Sequence, residues 1–473
     1  MPELLYSTVI EQAGWVAAGE ISARELVEHS IARIDALNPV LNAFAHVFTE
    51  EARAHADGLD AERAAGALRG PLHGVPIAIK EENDVAGIPT RFGSSAFTTP
   101  ATADSAVVQR LRDAGAIIIG TTRMPEFGIW PFTESDSFGW TRNPWNTGRS
   151  TAGSSGGTAA AIASGMVAAG IGGDGGGSIR LPASWCGLFG LKPQRGRVSL
   201  APNADLWRAL GVIGPLTRSV ADSALIHDVI GGAGPADRFS AEALPVPMLR
   251  SATEPLDRPL RIMVSLKNPM GGQAADADTA SAVRRTADLL RGLGHEVIEA
   301  DPDYPRLALP FQVQLAAGIS DEAARADHPE LLERRTRAML RLARPLSRFG
   351  AWAERAAAER GEPFLTRLFG GVDLLITPTT PTAALPVGQL DGAGAIAAVQ
   401  KAGPVSSFTS IWNALGNPAA AVPAGFTDAG LPLSVQVIGP RNGEPTILAL
   451  SAQLESARPW ADRRPPLAEA STP

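Results

Sequence analysis

The sequence predicts an α/β protein that forms one large domain, with a mainly parallel or mixed sheet covered by helices on both faces. Short apolar runs typical of buried strands alternate along the chain with segments of helical periodicity. The 473 residues are 45% hydrophobic and 19% charged, which suffices to bury a large core. No fixed-period repeat and no long linker interrupts the sequence, so a single domain with loop excursions is favoured.

The first forty residues predict two helices, because Thr8 and Glu11, and again Ser22 and Glu25, have the spacing of a capping box. We expect the second helix to stop at Pro39. Helices are then predicted over 49–68, 105–114, 155–164, 278–293 and 445–455. Buried strands are predicted over 75–79, 116–119, 261–265, 296–299, 373–377, 419–423 and 434–438.

The composition limits the possible functions. The formal net charge is −7, so the chain lacks the basic field that non-specific nucleic-acid binding requires. Cys186 is the single cysteine, which excludes an intrachain disulfide and a multi-cysteine zinc site. The first ten residues lack a targeting signal, and no apolar run is long enough to span a bilayer. We therefore expect a cytoplasmic protein that binds neither membrane nor nucleic acid and uses no metal or other cofactor.

Lysine is rare in this chain, because four of the 42 basic residues are lysine and the others are arginine. Arginine does not lose its proton in a protein, whereas a desolvated lysine does. Lys80 ends the apolar run that begins at Val75, so we expect its amine to be buried. Burial lowers the pKa of an amine and makes it a usable base near neutral pH. The alternative is a structural ion pair at the end of a strand.

Two serines and a glycine-rich loop accompany this lysine. Ser154 and Ser155 begin a helix of small residues, where the alternative role is that of a helix cap. Three successive glycines precede Ser178, and such a run can turn its N–H groups toward a developing oxyanion. A plain glycine-rich turn is the alternative here. It would not explain why a deprotonatable lysine, two serines and an amide nest occur within 99 residues.

Other motifs carry less weight. Residues 153–157 fit the G-x-S-x-G pattern with Ser155 as nucleophile, but the residues before them are typical of a loop. Gly170, Gly172 and Gly175 fit a dinucleotide-binding pattern that lacks its acidic ribose ligand. The seven histidines include no close pair, so a metal site has little support.

Several ordered stretches make the chain resemble the amidase signature family of serine hydrolases. They run to about residue 459 and include PLHGVPIAIK, AGSSGGTAAAIASG, GDGGGSIRLPASWCGLFGLKP and GNPAAAVPAGFTDAGLPLSVQVIG. In the family the nucleophilic serine follows the bridging serine by 24 residues, a spacing that matches Ser154 and Ser178. The resemblance implies that Ser178 attacks the substrate carbonyl, that Ser154, after a cis peptide bond, relays the proton, and that neutral Lys80 is the base.

The resemblance also implies the remaining parts of the site. Asp174 and Arg180 would support the glycine-rich loop, and Ser155 would stabilise the bridging serine. The oxyanion hole would consist of the backbone N–H groups of Gly175, Gly176, Gly177 and Ser178.

The fold implied by the resemblance is a single α/β/α domain over 1–473 with a twisted, mixed, multi-stranded sheet. Its parts are N-terminal helices (about 1–68), a signature core (about 70–240), a sheet and helix excursion (about 260–400) and a C-terminal return (about 405–460). The implied partner is a small molecule. Because family members are often dimers, a homodimer is compatible with the resemblance.

Three positions depart from the common family pattern. Glu81, Glu82 and Asn83 follow the lysine where an Asp-Asn pair is usual. Thr151-Ala152 replaces Pro-Gly before the serine pair, and Gly175 stands where threonine is frequent. These departures keep the triad and bear on its tuning and on substrate preference.

Six apolar loop residues are candidates for an acyl or aryl pocket, and the alternative for each is the ordinary core. They are Phe127, Trp130, Phe132, Trp140, Leu206 and Trp207. An apolar pocket suits alkyl or aryl amides, esters or carbamates, whereas a malonamate or allophanate would need a dedicated cation for its carboxylate.

The sequence thus predicts an amidohydrolase that cleaves the C–N acyl bond of a small to medium, largely apolar substrate. The first alternative is the related amidotransferase component that supplies ammonia to misacylated tRNA. In that branch glutamine is usual where this chain has Leu181. The second alternative is a catalytically silent binding protein, against which the intact Lys80, Ser154 and Ser178 argue.

Overall fold

The computed structural model describes residue 4 and residues 6–467, and its centre is a sheet of eleven strands. Two further pairs, β4 with β5 and β6 with β7, form hairpins outside this sheet. The strands are β1 (Phe44–Val47), β2 (Pro76–Lys80), β3 (Ile117–Thr122), β4 (Glu134–Ser135), β5 (Gly139–Trp140), β6 (Arg142–Asn143), β7 (Asn146–Ser150), β8 (Ala169–Asp174), β9 (Phe189–Lys192), β10 (Val212–Thr217), β11 (Arg261–Val264), β12 (Glu296–Glu299), β13 (Leu374–Pro378), β14 (Ala419–Phe426) and β15 (Pro432–Ile438).

The sheet is mixed, with parallel strands toward both ends and antiparallel strands between them. Its spatial order is β1-β3-β2-β8-β10-β9-β14-β15-β13-β11-β12. The runs β3-β2-β8 and β13-β11-β12 are parallel. The pair β1-β3 and the strands from β8 to β13 are antiparallel. Parallel neighbours need crossover connections, and helices supply them here.

Helices cover both faces of the sheet. They are α1 (Val9–Ala18), α2 (Ala23–Leu41), α3 (Thr49–Ala64), α4 (Ala106–Asp113), α5 (Gly156–Ala163), α6 (Arg180–Cys186), α7 (Val220–Ile230), α8 (Met248–Thr253), α9 (Ala277–Gly292), α10 (Ala308–Ala323), α11 (Arg334–Ser347), α12 (Gly350–Phe369), α13 (Ala395–Val405), α14 (Ser410–Leu415) and α15 (Glu444–Ala457). Among the described residues, no helix is both long and apolar enough to cross a bilayer.

Alternate residues of one strand reach the cores on opposite faces. Ile117 and Ile119 of β3 pack with α2 and α5, whereas Ile118 packs with α4 and α7. All three side chains are almost fully buried. A strand buried on both faces has a continuous apolar sequence, and this is the pattern found at β3. The mixed sheet between two helix layers confirms the predicted fold class.

Two expectations about the elements need correction. Pro39 does not stop α2, which continues to Leu41 and ends at Asn42 in a left-handed conformation. Proline this close to the end of a helix removes only one backbone donor, so the last turn survives. Helices α10 to α12, which fill residues 308–369, are not predicted from the sequence either. None of the three begins with a side-chain N-cap, so the start signals that mark α1 and α2 in the sequence are missing here.

Candidate active site

Lys80 is the last residue of β2 and lies deep between the parallel neighbours β3 and β8. Its side chain is 1% exposed. The Nζ atom donates to Ser154 Oγ at 2.7 Å and lies 3.1 Å from Glu82 Oε2. Burial lowers the pKa of the Lys80 amine, and the carboxyl of Glu82 opposes that shift. The structure therefore places a desolvated amine in direct contact with the predicted relay serine.

Ser154 lies in the turn between β7 and α5, after a cis peptide bond to Gly153. A Cβ atom at Gly153 would lie 2.8 Å from the backbone nitrogen of Phe132, so only glycine fits there. A Cβ atom at Gly128 would lie 3.0 Å from Ser154 Oγ. Two glycines thus allow the chain to close tightly around the serine hydroxyl.

Ser178 lies in the loop between β8 and α6, and the carboxylate of Asp174 organises this loop from inside. Asp174 Oδ1 accepts from Gly177 N at 2.7 Å, and Oδ2 accepts from Ile179 N at 3.2 Å. Arg180 donates to both carboxylate oxygens at 2.9 Å. Although burial favours the neutral acid, the Arg180 guanidinium and its hydrogen bonds hold the pKa of Asp174 at about 2. Asp174 is therefore ionised at neutral pH, and its charge is compensated in the core.

The C-terminal part of the chain completes this network. Arg180 Nη1 donates to Gln436 Oε1 at 2.6 Å, and Arg180 Nη2 donates to Asn413 Oδ1 at the same distance. Asn413 Nδ2 donates to the backbone oxygen of Asp174 at 2.8 Å. Thr409 Oγ1 donates to Gly176 O at 2.7 Å. These three partners are not predicted from the sequence as site residues. Only Gln436 falls within a stretch that carries the family resemblance.

The prediction for the oxyanion hole needs one correction. The N–H group of Gly177 is committed to Asp174 Oδ1, so it supports the loop instead of facing a substrate. Gly177 has φ 129°, a conformation that favours glycine, and a Cβ atom there would lie 2.3 Å from Thr409 Oγ1. The N–H groups of Gly175, Gly176 and Ser178 remain candidates for binding an oxyanion.

Ser155 is fully buried and lies behind the predicted nucleophile. Its Oγ donates to Gly173 O at 3.2 Å, and its backbone nitrogen donates to Ser178 O at 3.3 Å. A hydroxyl committed to a backbone carbonyl in the core fits a structural role and does not fit the nucleophile of a G-x-S-x-G elbow.

An open cleft of about 600 Å³, including its solvent-exposed part, lies over Ser178. Helices α10, α11 and α13 contribute one side of it through Phe311, Leu315, Met339 and Val399. Among the described residues that line this cleft, none carries a charged side chain. The cleft therefore suits an uncharged, largely apolar ligand.

Two of the six predicted pocket residues line this cleft, namely Trp130 and Trp207. Phe127 and Phe132 are buried in the adjoining core cluster instead. Trp140 lies in the β4–β5 hairpin and donates its indole N–H to Asp391. Leu206 packs beside Trp207 without lining the cleft. Aromatic composition alone does not separate cleft from core, because aromatic side chains occur in both.

Trp207 is held in a slot made by glycines from separate segments. A Cβ atom added at Gly175 would lie 2.2 Å from the indole ring, and one added at Gly318 would lie 2.6 Å from the Cα of Trp207. At Gly128 the corresponding distance to the ring is 3.2 Å. Trp207 itself has φ 52°, so its backbone is strained and the surrounding packing maintains it. Gly175, where the family usually has threonine, thus makes room for this ring.

Within the described residues, no group of three or more His, Cys, Asp or Glu side chains converges to hold a metal ion.

Comparisons with known proteins agree with this arrangement. The amidase family profile matches residues 25–448. A Mycobacterium tuberculosis protein named as amidase AmiB2 is 43% identical over 465 residues, which are 98% of each chain. A component of the glutamyl-tRNA(Gln) amidotransferase of Chloroflexus aggregans is 37% identical over 504 residues, covering 99% of this chain and 100% of that protein.

Solved structures give the same result. The 6-aminohexanoate cyclic dimer hydrolase complexed with substrate superposes with a TM-score of 0.90 at 33% identity, over 98% of this chain and 99% of that one. A bacterial aryl acylamidase superposes with a TM-score of 0.86 at 26% identity, over 99% of both chains. The chain therefore belongs to the amidase signature family and is a hydrolase that acts on amide C–N bonds.

Proposed function

We propose that the protein hydrolyses uncharged amides with a largely apolar acyl part, through an acyl-enzyme on Ser178. The observation that carries this proposal is the 2.7 Å hydrogen bond from the buried Lys80 amine to Ser154, next to a cleft that contains Ser178. A silent binding protein would have no need to hold a buried amine against a serine hydroxyl beside a cleft that contains a second serine.

In the acylation step, neutral Lys80 accepts the proton of Ser154 while Ser154 accepts the proton of Ser178. The Oγ of Ser178 then forms a bond to the substrate carbonyl carbon, and the negative charge moves to the carbonyl oxygen. Backbone N–H groups at Gly175, Gly176 and Ser178 stabilise that oxygen. The proton returns through Ser154 to the leaving nitrogen, the C–N bond breaks and the amine departs.

Deacylation repeats these transfers with water in place of the serine hydroxyl. Water loses its proton to the relay as its oxygen adds to the acyl carbon. The bond to Ser178 Oγ then breaks, the serine recovers a proton, and the acid leaves. Esters and carbamates contain the same acyl centre, so the same residues can act on them.

The preference for uncharged substrates follows from the lining of the cleft. A carboxylate on the acyl group would lose its hydration without meeting a cation, which costs several kcal/mol. The related 6-aminohexanoate cyclic dimer hydrolase and aryl acylamidase have names that indicate amide substrates of this uncharged kind. Leu181, which lines the cleft, presents an apolar surface where the amidotransferase branch usually has glutamine.

The nucleophile is tested with a fluorophosphonate probe, which phosphonylates activated serines, followed by peptide mass spectrometry. We expect the adduct on Ser178, its loss in Ser178→Ala and its retention in Ser155→Ala. An adduct on Ser155, or no adduct on the folded protein, would contradict the proposal. Labelling that requires added partner proteins would favour the amidotransferase alternative.

The substrate class is tested in the same preparation with two p-nitroanilides, hexanoyl and 5-carboxypentanoyl, whose acyl chains differ in a terminal carboxylate. We expect kcat/KM to favour the hexanoyl compound by about 100-fold or more, because the cleft cannot pair the charge. Trp207→Ala should lower kcat/KM for the hexanoyl compound by about tenfold, since one apolar wall is removed. Equal values for the two compounds in the wild type would refute the substrate assignment.

A further inference from the structure

Glu82 contacts the amine of Lys80 but takes no part in the proton transfers described above. The Glu82 backbone nitrogen donates to Lys80 O at 2.8 Å, which bends residue 82 back over the end of β2. Its Oε2 lies 3.1 Å from Lys80 Nζ, and its side chain is 6% exposed. Lys80 therefore has two partners at hydrogen-bond distance, the hydroxyl of Ser154 and the carboxyl of Glu82.

The space for this carboxyl is built into the core. Glu82 Oε1 is buried and has no hydrogen-bond partner among the described residues. It lies against Gly173 of β8, where a Cβ atom would be 2.0 Å from Oε1. An unpaired charge is unfavourable at such a buried position. The contact with Lys80 explains why a carboxyl is present there.

We propose that Glu82 is a positioning residue that holds the Lys80 amine against Ser154 through the contact of its carboxyl with Nζ. This inference rests on the proposed function, in which Lys80 is the base. The carboxyl lies 3.1 Å from the amine, so it both fixes the position of Nζ and acts on its pKa through charge.

The sign of the effect follows from the electrostatics. Burial lowers the pKa of the Lys80 amine, and the negative charge of Glu82 raises it again. Without that charge, Lys80 becomes neutral at a lower pH but is also a weaker base. Removal of the charge should therefore shift the midpoint of the acid limb of the pH–rate profile to lower pH. It should also lower the rate at the plateau.

Other charged groups near Lys80 act more weakly. Asp174 and Glu81 also raise the pKa of Lys80, but Asp174 is already paired with Arg180. Glu81 Oε1 accepts from the backbone nitrogen of Met124 at 3.1 Å. Burial raises the pKa of Glu81 to about 7, against the attraction of Arg123.

Glu322 of α10 is the titratable group that faces Glu82 from the helix layer. Burial raises the pKa of Glu322 to about 7, Arg325 opposes this, and the negative charges of Glu82, Asp321 and Asp205 add to it. Glu322 thus titrates in the range of interest without contacting Lys80, and it must be tested separately.

The experiment measures the rate of Ser178 labelling by a fluorophosphonate between pH 5 and 10. It compares the wild type, Glu82→Gln, Glu82→Asp, Glu81→Gln and Glu322→Gln, each checked for folding by circular dichroism. In Glu82→Gln we expect the midpoint of the acid limb to fall by about one pH unit or more and the plateau to fall about 10- to 100-fold. Glu82→Asp, which keeps the charge, should retain the wild-type midpoint with a lower rate.

The matched control is Glu81→Gln, which removes a neighbouring buried carboxyl that does not touch the amine. We expect its midpoint to move by less than about a third of the Glu82→Gln shift. An unmoved midpoint in folded Glu82→Gln, or an equal shift in Glu81→Gln or Glu322→Gln, would overturn the role of Glu82 and leave the proposed function intact. If Glu82→Gln does not fold, Glu82→Asp provides the test, because it keeps the charge. A midpoint that falls in Glu82→Asp would overturn the role of Glu82. A wild type that is not labelled on Ser178 would instead overturn the proposed function itself.

Discussion

Two lysines of this protein are buried at equivalent positions and differ in what they contact. Lys80 ends β2 and Lys192 ends β9, two strands of the same sheet. Their exposed fractions are 1% and 0%, whereas Lys267 and Lys401 are exposed. Burial lowers the pKa of both amines, that of Lys192 to about 7.

The partners of the two amines separate their roles. Lys80 Nζ donates to the hydroxyl of Ser154, which has a proton to transfer. Lys192 Nζ donates to the backbone oxygen of Pro193 at 3.0 Å, which has none. Burial can therefore make an amine neutral in two places of one sheet, but only the amine that contacts a transferable proton can serve as a base. A requirement for Lys192 in catalysis would contradict this distinction between the two amines.

The largest expected effect tests this comparison directly. Lys80→Met should lower the rate of Ser178 labelling by about 10⁴-fold, because the base is lost while the buried volume is kept. Lys192→Met is the matched control and should stay within about threefold of the wild type, because its amine contacts no reacting group. The measurement is the labelling rate at pH 8. Similar losses in the two variants would show that burial, and not the serine contact, defines the catalytic lysine.

A smaller loss is expected when Lys80 is kept but its hydroxyl partner is removed. Ser154→Ala leaves a buried amine without a transferable proton, which is the situation of Lys192. The labelling rate of Ser178 should fall by about 10²- to 10³-fold, since part of the base function can be taken over by water. Ser155→Ala is the control at the adjacent position. A rate in Ser154→Ala equal to that of the wild type would mean that Lys80 acts without a relay.

The two lysines also show which features of the site can be predicted from the sequence and which cannot. Both close a short apolar run, but burial is predicted from the sequence for Lys80 only, and the run itself does not distinguish the two lysines. The distinction depends on Ser154, which is 74 residues from Lys80 and reaches it only through the sheet and the turn after β7. The family resemblance supplied that pairing. It did not supply Asn413 as a partner of Arg180, a contact between residues that lie 233 positions apart.

The fold was predictable where the chain alternates between clear strand and helix patterns. The strand predicted over 296–299 has the same bounds as β12, and the helix predicted over 278–293 differs from α9 by one residue at each end. Glycine-rich β8 is not predicted, because glycine has a low intrinsic strand preference and only its neighbours in the sheet stabilise it. The cleft wall from α10 and α11 is missed for a related reason. Whether the apolar residues of these helices line a cleft or fill the core depends on tertiary packing.

The smallest expected effect concerns stability and isolates the electrostatic state of Lys192. Its pKa is about 7 in the folded protein and about 10.4 in an unfolded chain, so the unfolded state binds more protons between these values. The stability of the wild type should therefore rise with pH from about 7 to about 10 through this group, and it should lose that contribution as the pH falls to 7. Methionine cannot be protonated, so Lys192→Met should be more stable relative to the wild type at pH 7 than at pH 10, by on the order of 1 to 3 kcal/mol. Thermal unfolding midpoints of the two proteins at pH 6, 7, 8, 9 and 10 measure this difference, with the exposed Lys401→Met as the control for loss of one lysine. A difference that stays constant over this range would mean that Lys192 is charged in the folded protein, and burial would then not be the property that the two lysines share.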